Sequence, residues 1–370
     1  MSSYSGCAPR RLASHFSPAF TSALALSFAA AFGTAAAQAP PPLQDTVHFF
    51  TYENDSRFFT DRLYTSGVQF SVKRSSDTRG DFARGFTTRM CRLAGCNADK
   101  AFTSQSNLGQ LIYTPRDITG AEPQPLDRPW AGLLYYEQAY TFLSPDQRTL
   151  TTFTGQVGVT GPGSLAEPAQ KMFHRLLDRP APQGWNNQIG GSLGVMAMAE
   201  KRTARESLSF DLPRSIRFNT ATYWRVAAGN IQTYAAAGVA VVIGKNLPPV
   251  SPPPPGIGNK VAGVGERKPS SLTCLMRWIQ CTTFGSVEGR VVGYNVFLDG
   301  RLFSRDREIE ARAFVYDVVL GTRLDFPATR TASHGPWFVQ VKVTRRSPEF
   351  RSPLGVPSHK VSALTIGTEF

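Results

Sequence analysis

YTSGVQFSVK, residues 64–73, is the stretch whose reading decides the fold. Tyr64, Ser66, Val68, Phe70 and Val72 fall on one face, and Thr65, Gly67, Gln69, Ser71 and Lys73 on the other. A period of two is the periodicity of a β-strand. The same alternation recurs far downstream. Trp337, Val339, Val341 and Val343 alternate with Gln340, Lys342 and Thr344, and the final segment gathers Leu364, Ile366 and Phe370 on one side. Segments of about ten residues, apolar outward and polar inward, are what a transmembrane β-barrel requires. Without water in the bilayer every backbone group must pair within a closed sheet. A soluble β-sandwich alternates as well, but the exported N-terminus, the abundance of Gly and aromatic residues, and the terminal Phe370 favour the barrel.

Composition sharpens this. The chain has 370 residues, 41% hydrophobic and only 18% charged, with 32 Gly and 27 Pro. An average soluble protein has about 25% charged residues. This balance excludes a coiled coil, a long-helix protein and a charged disordered tail. After the N-terminus no apolar run reaches the roughly 18 residues of a spanning helix, so any passage through a membrane is made by strands. The formal charge of +13 points to an anionic partner such as nucleic acid, acidic headgroups or lipopolysaccharide phosphates.

Residues 1–39 read as a secretory signal peptide. Arg10 and Arg11 form the basic region, the stretch 19–30 is apolar, and small residues lead to Ala37 and Ala39, with cleavage expected after one of them. Pro40, Pro41 and Pro42 stop any helix there. The leader holds no acid, so the mature chain, residues 40–370, keeps a charge of +11. Four cysteines remain after cleavage, in two close pairs, Cys91 with Cys96 and Cys274 with Cys281. Disulfides are favoured in an oxidising compartment; a metal site is the rival, though no CxxC or adjacent His supports it.

The expected fold is all-β, an antiparallel transmembrane barrel of about twelve strands. The expected strands are 46–55, 63–74, 107–115, 130–143, 149–160, 187–201, 206–214 merging into 216–229, 233–244, 286–298, 308–324, 337–345 and 360–370. One short helix, 164–177, is expected in a long loop of about 161–186, with Ser164 as N-cap and Glu167 completing a capping box. Pro180 and Pro182 end it. The Pro-rich stretch 247–257 reads as a loop.

Three elements carry chemistry: Glu53-Asn54-Asp55-Ser56 ending the first strand, the block 60–67 opening the second, and His174-Arg175 on the loop helix followed by Gly184-Trp185-Asn186-Asn187-Gln188. With a periplasmic N-terminus, Asn54, Asp55, Thr65 and the helix all fall at the extracellular rim, and both cysteine pairs fall on the opposite side. A His with an ordinary pKa of about 6.5 can take a proton from water at neutral pH. Carboxylate and amide oxygens can hold a hard cation such as Ca²⁺, which polarises an ester carbonyl. No G-x-S-x-G nucleophile motif is present. A lone His on a loop helix is also often solvated or structural; His48 reads as a wall residue, His334 and His359 as loop or strand-end residues.

ENDSRFFTDRLYTSG (53–67), IYTPRDITGAEPQPLDRPWAGLLY (112–135), FHRLLDRPAPQGWNNQI (173–189), AAGNIQTYAAAG (227–238) and NVFLDGRLF (295–303) together resemble the ordered blocks of the outer-membrane lipid A 3′-O-deacylase family. The resemblance spans nearly the whole mature chain. It implies a twelve-stranded outer-membrane barrel that removes the 3′-linked acyloxyacyl chain of lipid A in a Ca²⁺-dependent reaction. It further implies His174 as general base, Asn54 and Asp55 as Ca²⁺ ligands or shapers of the oxyanion site, Thr65 as a lining residue and Gln188 as a supporting one. Lipopolysaccharide in the outer leaflet is then the partner, with no nucleic acid, and a monomer is expected. The chain departs from many relatives in having Asn186 and Asn187 where an Asp is common. It also has no Lys between Pro115 and Pro129, so Arg116 and Arg128 are the groups left there to meet a phosphate. Arg128 reads equally well as a strand-cap residue. The rival readings are an outer-membrane esterase acting on phospholipid, and a silent structural or transport barrel.

Overall fold

The computed structural model describes residues 46–55, 63–76, 85, 88–92, 102–213, 216–245, 247–250, 280–302, 304, 309–326 and 336–369. The leader, Ser56, Thr60–Arg62, Cys96, Cys274 and His334 lie outside these. Cys91 and Cys281 are each disulfide-bonded, as expected, although their expected partners lie outside the described residues.

The strands are β1 (Thr46–Asn54), β2 (Leu63–Ser76), β3 (Phe102–Thr114), β4 (Ala131–Leu143), β5 (Thr149–Thr160), β6 (Leu193–Ala204), β7 (Phe210–Leu212) and β8 (Ile216–Gly229). There follow β9 (Gln232–Lys245), β10 (Gln280–Asn295), β11 (Glu310–Ala311), β12 (Phe314–Phe326), β13 (Trp337–Arg346), β14 (Phe350–Arg351) and β15 (His359–Glu369). Among the described residues twelve of them form one antiparallel sheet in sequence order, and the sheet closes where β1 pairs with β15 from Val47↔Glu369 to Asn54↔Ser362. Among the described residues no helix is long and apolar enough to cross a membrane.

The side chains invert the pattern of a soluble core. Phe70, Leu108, Val157, Val239, Val287, Leu320 and Ile366 are exposed on the outside of the wall. Gln69, Asn107, Glu137, Gln156, Glu200, Arg225, Glu288, Asp317 and Lys342 are buried within. Buried charges are costly unless paired, and these are paired laterally from strand to strand. Arg225 meets Glu200 at 2.8 Å and Glu288 at 3.4 Å, Arg290 meets Asp317 at 2.5 Å, and Arg346 meets Asp317 at 2.9 Å. Near the C-terminal end of β1, Glu53 accepts from Lys342 Nζ at 3.0 Å and from the Tyr64 hydroxyl at 3.0 Å.

Several sequence expectations need correction. The described part of the stretch expected at 206–214, residues 206–213, is not a barrel strand: it forms a turn and the three-residue β7, which adds to the end of β8. β3 starts at Phe102 rather than residue 107, and β6 at Leu193 rather than 187, because Gly184–Asn187 is a 3₁₀ turn. β10 stops at Asn295, whose side chain accepts from Phe297 N–H and caps a second helix, α2 (Val296–Asp299), where strand was expected. The short ribbon of β11 with β14 was not anticipated.

The loop helix is α1 (Ala166–Leu176). Its N-cap is Leu165 in the left-handed conformation (φ 56°), not Ser164. The Ser164 hydroxyl donates to Gly161 O at 2.6 Å, closing the preceding 3₁₀ turn, and its oxygen accepts from Ala166 N–H only at 3.4 Å, so no capping box forms. An eleven-residue helix is marginal by itself, so tertiary contacts hold it. Ala166, Gln170 and His174, spaced by four, make its buried face. Ala166 packs with Ile112, Trp130 and Trp185, Phe173 stacks on Tyr52 at 6.1 Å, and Gln110 Nε2 donates to Ser164 O at 2.6 Å. Gly132 on β4 permits this docking, since a Cβ there would collide with Ser164 Oγ and the Ala166 methyl.

Two outcomes follow from this packing. Gly132→Val should unseat α1 while leaving the barrel closed, raising the rate of proteolysis within 161–192 by about tenfold or more with unchanged heat-modifiable electrophoretic mobility. Lys342→Met strands a buried Glu53 carboxylate and should lower stability by about 3 kcal/mol, read as an earlier urea unfolding midpoint; an unchanged midpoint would show that the pair contributes nothing.

Candidate active site

The wall strands place neighbouring residues on opposite sides of the sheet. In β1 the odd positions Thr51 and Glu53 are buried inward, so Tyr52 and Asn54 face out. In β2 the register slips between Tyr64 and Ser66, making Thr65 a bulged extra residue against β3. A bulge re-aims a side chain. Tyr64 joins the interior core, while Thr65 and Ser66 line an outer pocket with Asn54, which pairs with Ser66 across the strands. The Thr65 hydroxyl is held by Thr114 Oγ1 at 2.6 Å.

Helix α1 supplies the other wall. The pocket, with about 440 Å³ of free space including its mouth, is lined by Tyr52, Asn54, Thr65, Ser66, Ile112, Gln170, Phe173, His174, Leu177 and Arg179. It lies between the helix and the outer face of the barrel rather than in the lumen. His174 is 7% exposed, and its Nδ1 lies 2.6 Å from Pro180 O. A carbonyl can only accept, so Nδ1 carries the hydrogen and the lone pair of the neutral ring belongs to Nε2. The chain turns back at Pro180 to make this contact, with Arg179 N–H donating to His174 O at 2.8 Å.

Of the lining residues that sequence reading missed, Gln170 bears most directly on His174. Its Oε1 accepts the Trp185 indole N–H at 2.8 Å, which fixes the orientation of the amide. Its Nε2 is buried without a hydrogen-bond partner, in the pocket that Gln170 and His174 both line. Its position one turn before His174 was the available signal. Trp185 is packed against Trp130 at 5.0 Å, so the Gly-Trp block orients Gln170.

The expected site residues separate into two groups. Asn54, Thr65 and His174 line one pocket. Asp55, fully buried, stands next to it, its N–H donating to Thr65 O at 3.3 Å. Gln188, Arg116 and Arg128 do not line the pocket. Gln188 bridges to Trp130. Arg116 donates to Gly355 O at 2.6 Å on the exterior, and Arg128 is buried over the Tyr113 ring at 4.4 Å. A phosphate-contacting role for either is therefore not placed at this pocket. Asn187, one of the departures noted in sequence, donates to Ala121 O at 2.7 Å and ties the loop after β3 to the loop after β5.

For a metal, the donors near the pocket are an amide oxygen (Asn54), a carboxylate (Asp55) and a hydroxyl (Thr65). These are hard oxygen ligands of the kind Ca²⁺ takes. Among the described residues no group of three His, Cys, Asp or Glu could hold a metal, so such a site would depend on one carboxylate with neutral oxygens.

No curated protein matches the chain by sequence. Among solved structures it is similar to LpxR from Salmonella typhimurium, with 16% identity, a TM-score of 0.64, and coverage of 88% of this chain and 100% of that one. The β domain of the Bordetella autotransporter BrkA matches more weakly, at 9% identity and a TM-score of 0.42 over 88% of this chain and 100% of that one. The family model described as outer membrane protein LpxR matches residues 20–370. The closed barrel, its outward pocket and that match across nearly the whole sequence lead to one conclusion: the chain belongs to the LpxR family of outer membrane proteins.

Proposed function

We propose that the protein is a lipid A deacylase that hydrolyses the 3′-linked acyloxyacyl ester of lipid A in the outer leaflet. The observation that carries this is the position of the pocket. His174, Gln170, Asn54 and Thr65 meet on the outer face of the wall, at its extracellular end, where a lipid ester can arrive without leaving the membrane.

The chemistry follows from the groups themselves. His174 Nε2 takes a proton from water as the oxygen attacks the ester carbonyl. The Pro180 carbonyl holds the ring through Nδ1–H and favours the imidazolium that forms. Gln170 Nε2–H is oriented to donate to the carbonyl oxygen as it gains charge. The proton on His174 then passes to the departing sugar oxygen, releasing alcohol and fatty acid. Asn54 and Asp55 are the residues that would hold Ca²⁺, with Thr65 beside them. When bound, the ion polarises the ester carbonyl and offsets the negative charge on its oxygen.

With purified protein and lipid A, His174→Ala should abolish acyl release while heat-modifiable mobility stays intact; continued release would remove His174 as the base. Chelation by EGTA should silence the wild-type protein, with recovery on adding Ca²⁺; activity that persists in EGTA would remove the ion from the reaction. Phospholipid vesicles in the same assay should release no fatty acid, and release at the lipid A rate would turn the reading toward a general esterase.

A further inference from the structure

The hydrolytic reading leaves unused a set of buried charges beneath the extracellular loops. Arg128 is fully buried, and a buried guanidinium costs much unless it is paired. Its Nη1 meets Glu349 Oε2 at 3.3 Å, its plane lies over the Tyr113 ring, and its Nε and Nη2 have no hydrogen-bond partner. Glu349 is shared with Arg346 at 3.3 Å, and Arg346 clasps Asp317 of the lumen network through Nε and Nη2, both at 2.9 Å. Burial pushes the Glu349 carboxyl up, but Arg346 and Arg128 beside it bring it below its ordinary value. An unbroken chain of charge therefore runs from the inner wall of β12 and β13 to the loop joining β3 and β4.

From Arg128 the path to the pocket is short. Its own N–H donates to Asp127 Oδ1 at 2.7 Å, and the other oxygen of Asp127 accepts from Arg116 N–H at 2.9 Å, so both ends of the loop are fixed. Two residues later comes Trp130. Its carbonyl accepts from Ile189 N–H at 2.9 Å, and its ring supports Trp185, whose indole N–H orients Gln170. The ladders of β3 and β4 are complete without these contacts. The arrangement thus bears on the pose of the two indoles rather than on closure of the barrel.

We infer that Arg128 is a positioning residue for the pocket, acting through Trp130 and Trp185 on the Gln170 amide. This inference rests on the hydrolase reading. Arg128→Met is the appropriate variant, because it leaves no stranded cation and Glu349 keeps Arg346.

The test is a double-mutant cycle on purified protein with lipid A and Ca²⁺, comparing wild type, Arg128→Met, Gln170→Ala and the pair. Arg128→Met should lower kcat about tenfold with KM unchanged, the size typical of losing a supporting partner. The pair should be no slower than Gln170→Ala alone, because the effect of Arg128 is transmitted by the amide. Independent, multiplying losses in the pair, or a wild-type kcat in Arg128→Met, would overturn the inference. If Arg128→Met does not reach a heat-modifiable folded state, Glu349→Gln enters the same cycle and is held to the same two outcomes. His174→Ala is run alongside: its remaining active would fell the hydrolase reading, whereas a dead His174→Ala with an unaffected Arg128→Met fells only the linkage.

Discussion

In hydrocarbon a backbone amide has no water to turn to, and the whole architecture answers to that constraint. The last strand must find the first, and β15 pairs with β1 from Val47 to Asn54. Closure then assigns every side chain to the lipid or to the interior. The polar set has only itself to pair with, which is why Glu200, Arg225, Glu288, Arg290, Asp317 and Arg346 form lateral ion pairs from strand to strand. Filled this way, the upper lumen keeps a charged cavity bordered by Glu53, Arg290, Asp317, Lys342, Arg346 and His359, with Phe297 of α2 among its lining.

A sheet with two committed faces can also use both at one point. Glu53 and Tyr64 point inward and are fixed there by each other and by Lys342, while His359 Nε2 donates to the Tyr64 carbonyl at 2.9 Å. Their chain neighbours Asn54 and Thr65 point outward into the pocket. Rigid polar packing on the lumen side thus holds the groups we propose as reactive on the opposite face of the wall. The helix completing the site is docked on the wall from outside, with Met172 and Leu176 exposed on its free face. For a lipid substrate this location matters, because a lumen site would require extracting the ester from the bilayer.

Much of this was legible in the sequence, for physical reasons. The period-two alternation of 64–73 and 337–344 gives the barrel because it is the geometry of the strand itself. The count of twelve held although several boundaries were misplaced; the stretch 206–214 was merged with the next strand because a three-residue strand carries too little pattern to separate from its neighbour. His174, Asn54 and Thr65 were brought to one rim by strand direction alone. The rest depends on contacts that no local pattern encodes. Gln170 looks like any helix-surface glutamine until Trp185 folds back upon it. Ser164 has the composition of a cap, but its hydroxyl is taken by Gly161 O, and the strained Leu165 takes its place. Arg128 looks like a surface cation beside a proline, and only the fold shows Glu349, more than 200 residues away, meeting it inside the protein.

The central claim is that an imidazole and oxygen ligands on the outer wall cut a lipid ester in place. Mass spectrometry of lipid A from cells with and without the protein, grown with Ca²⁺, tests it most directly. The account predicts that cells making the protein contain lipid A lighter by one acyloxyacyl unit. Unaltered lipid A in cells whose outer membrane holds the folded, heat-modifiable barrel would contradict it.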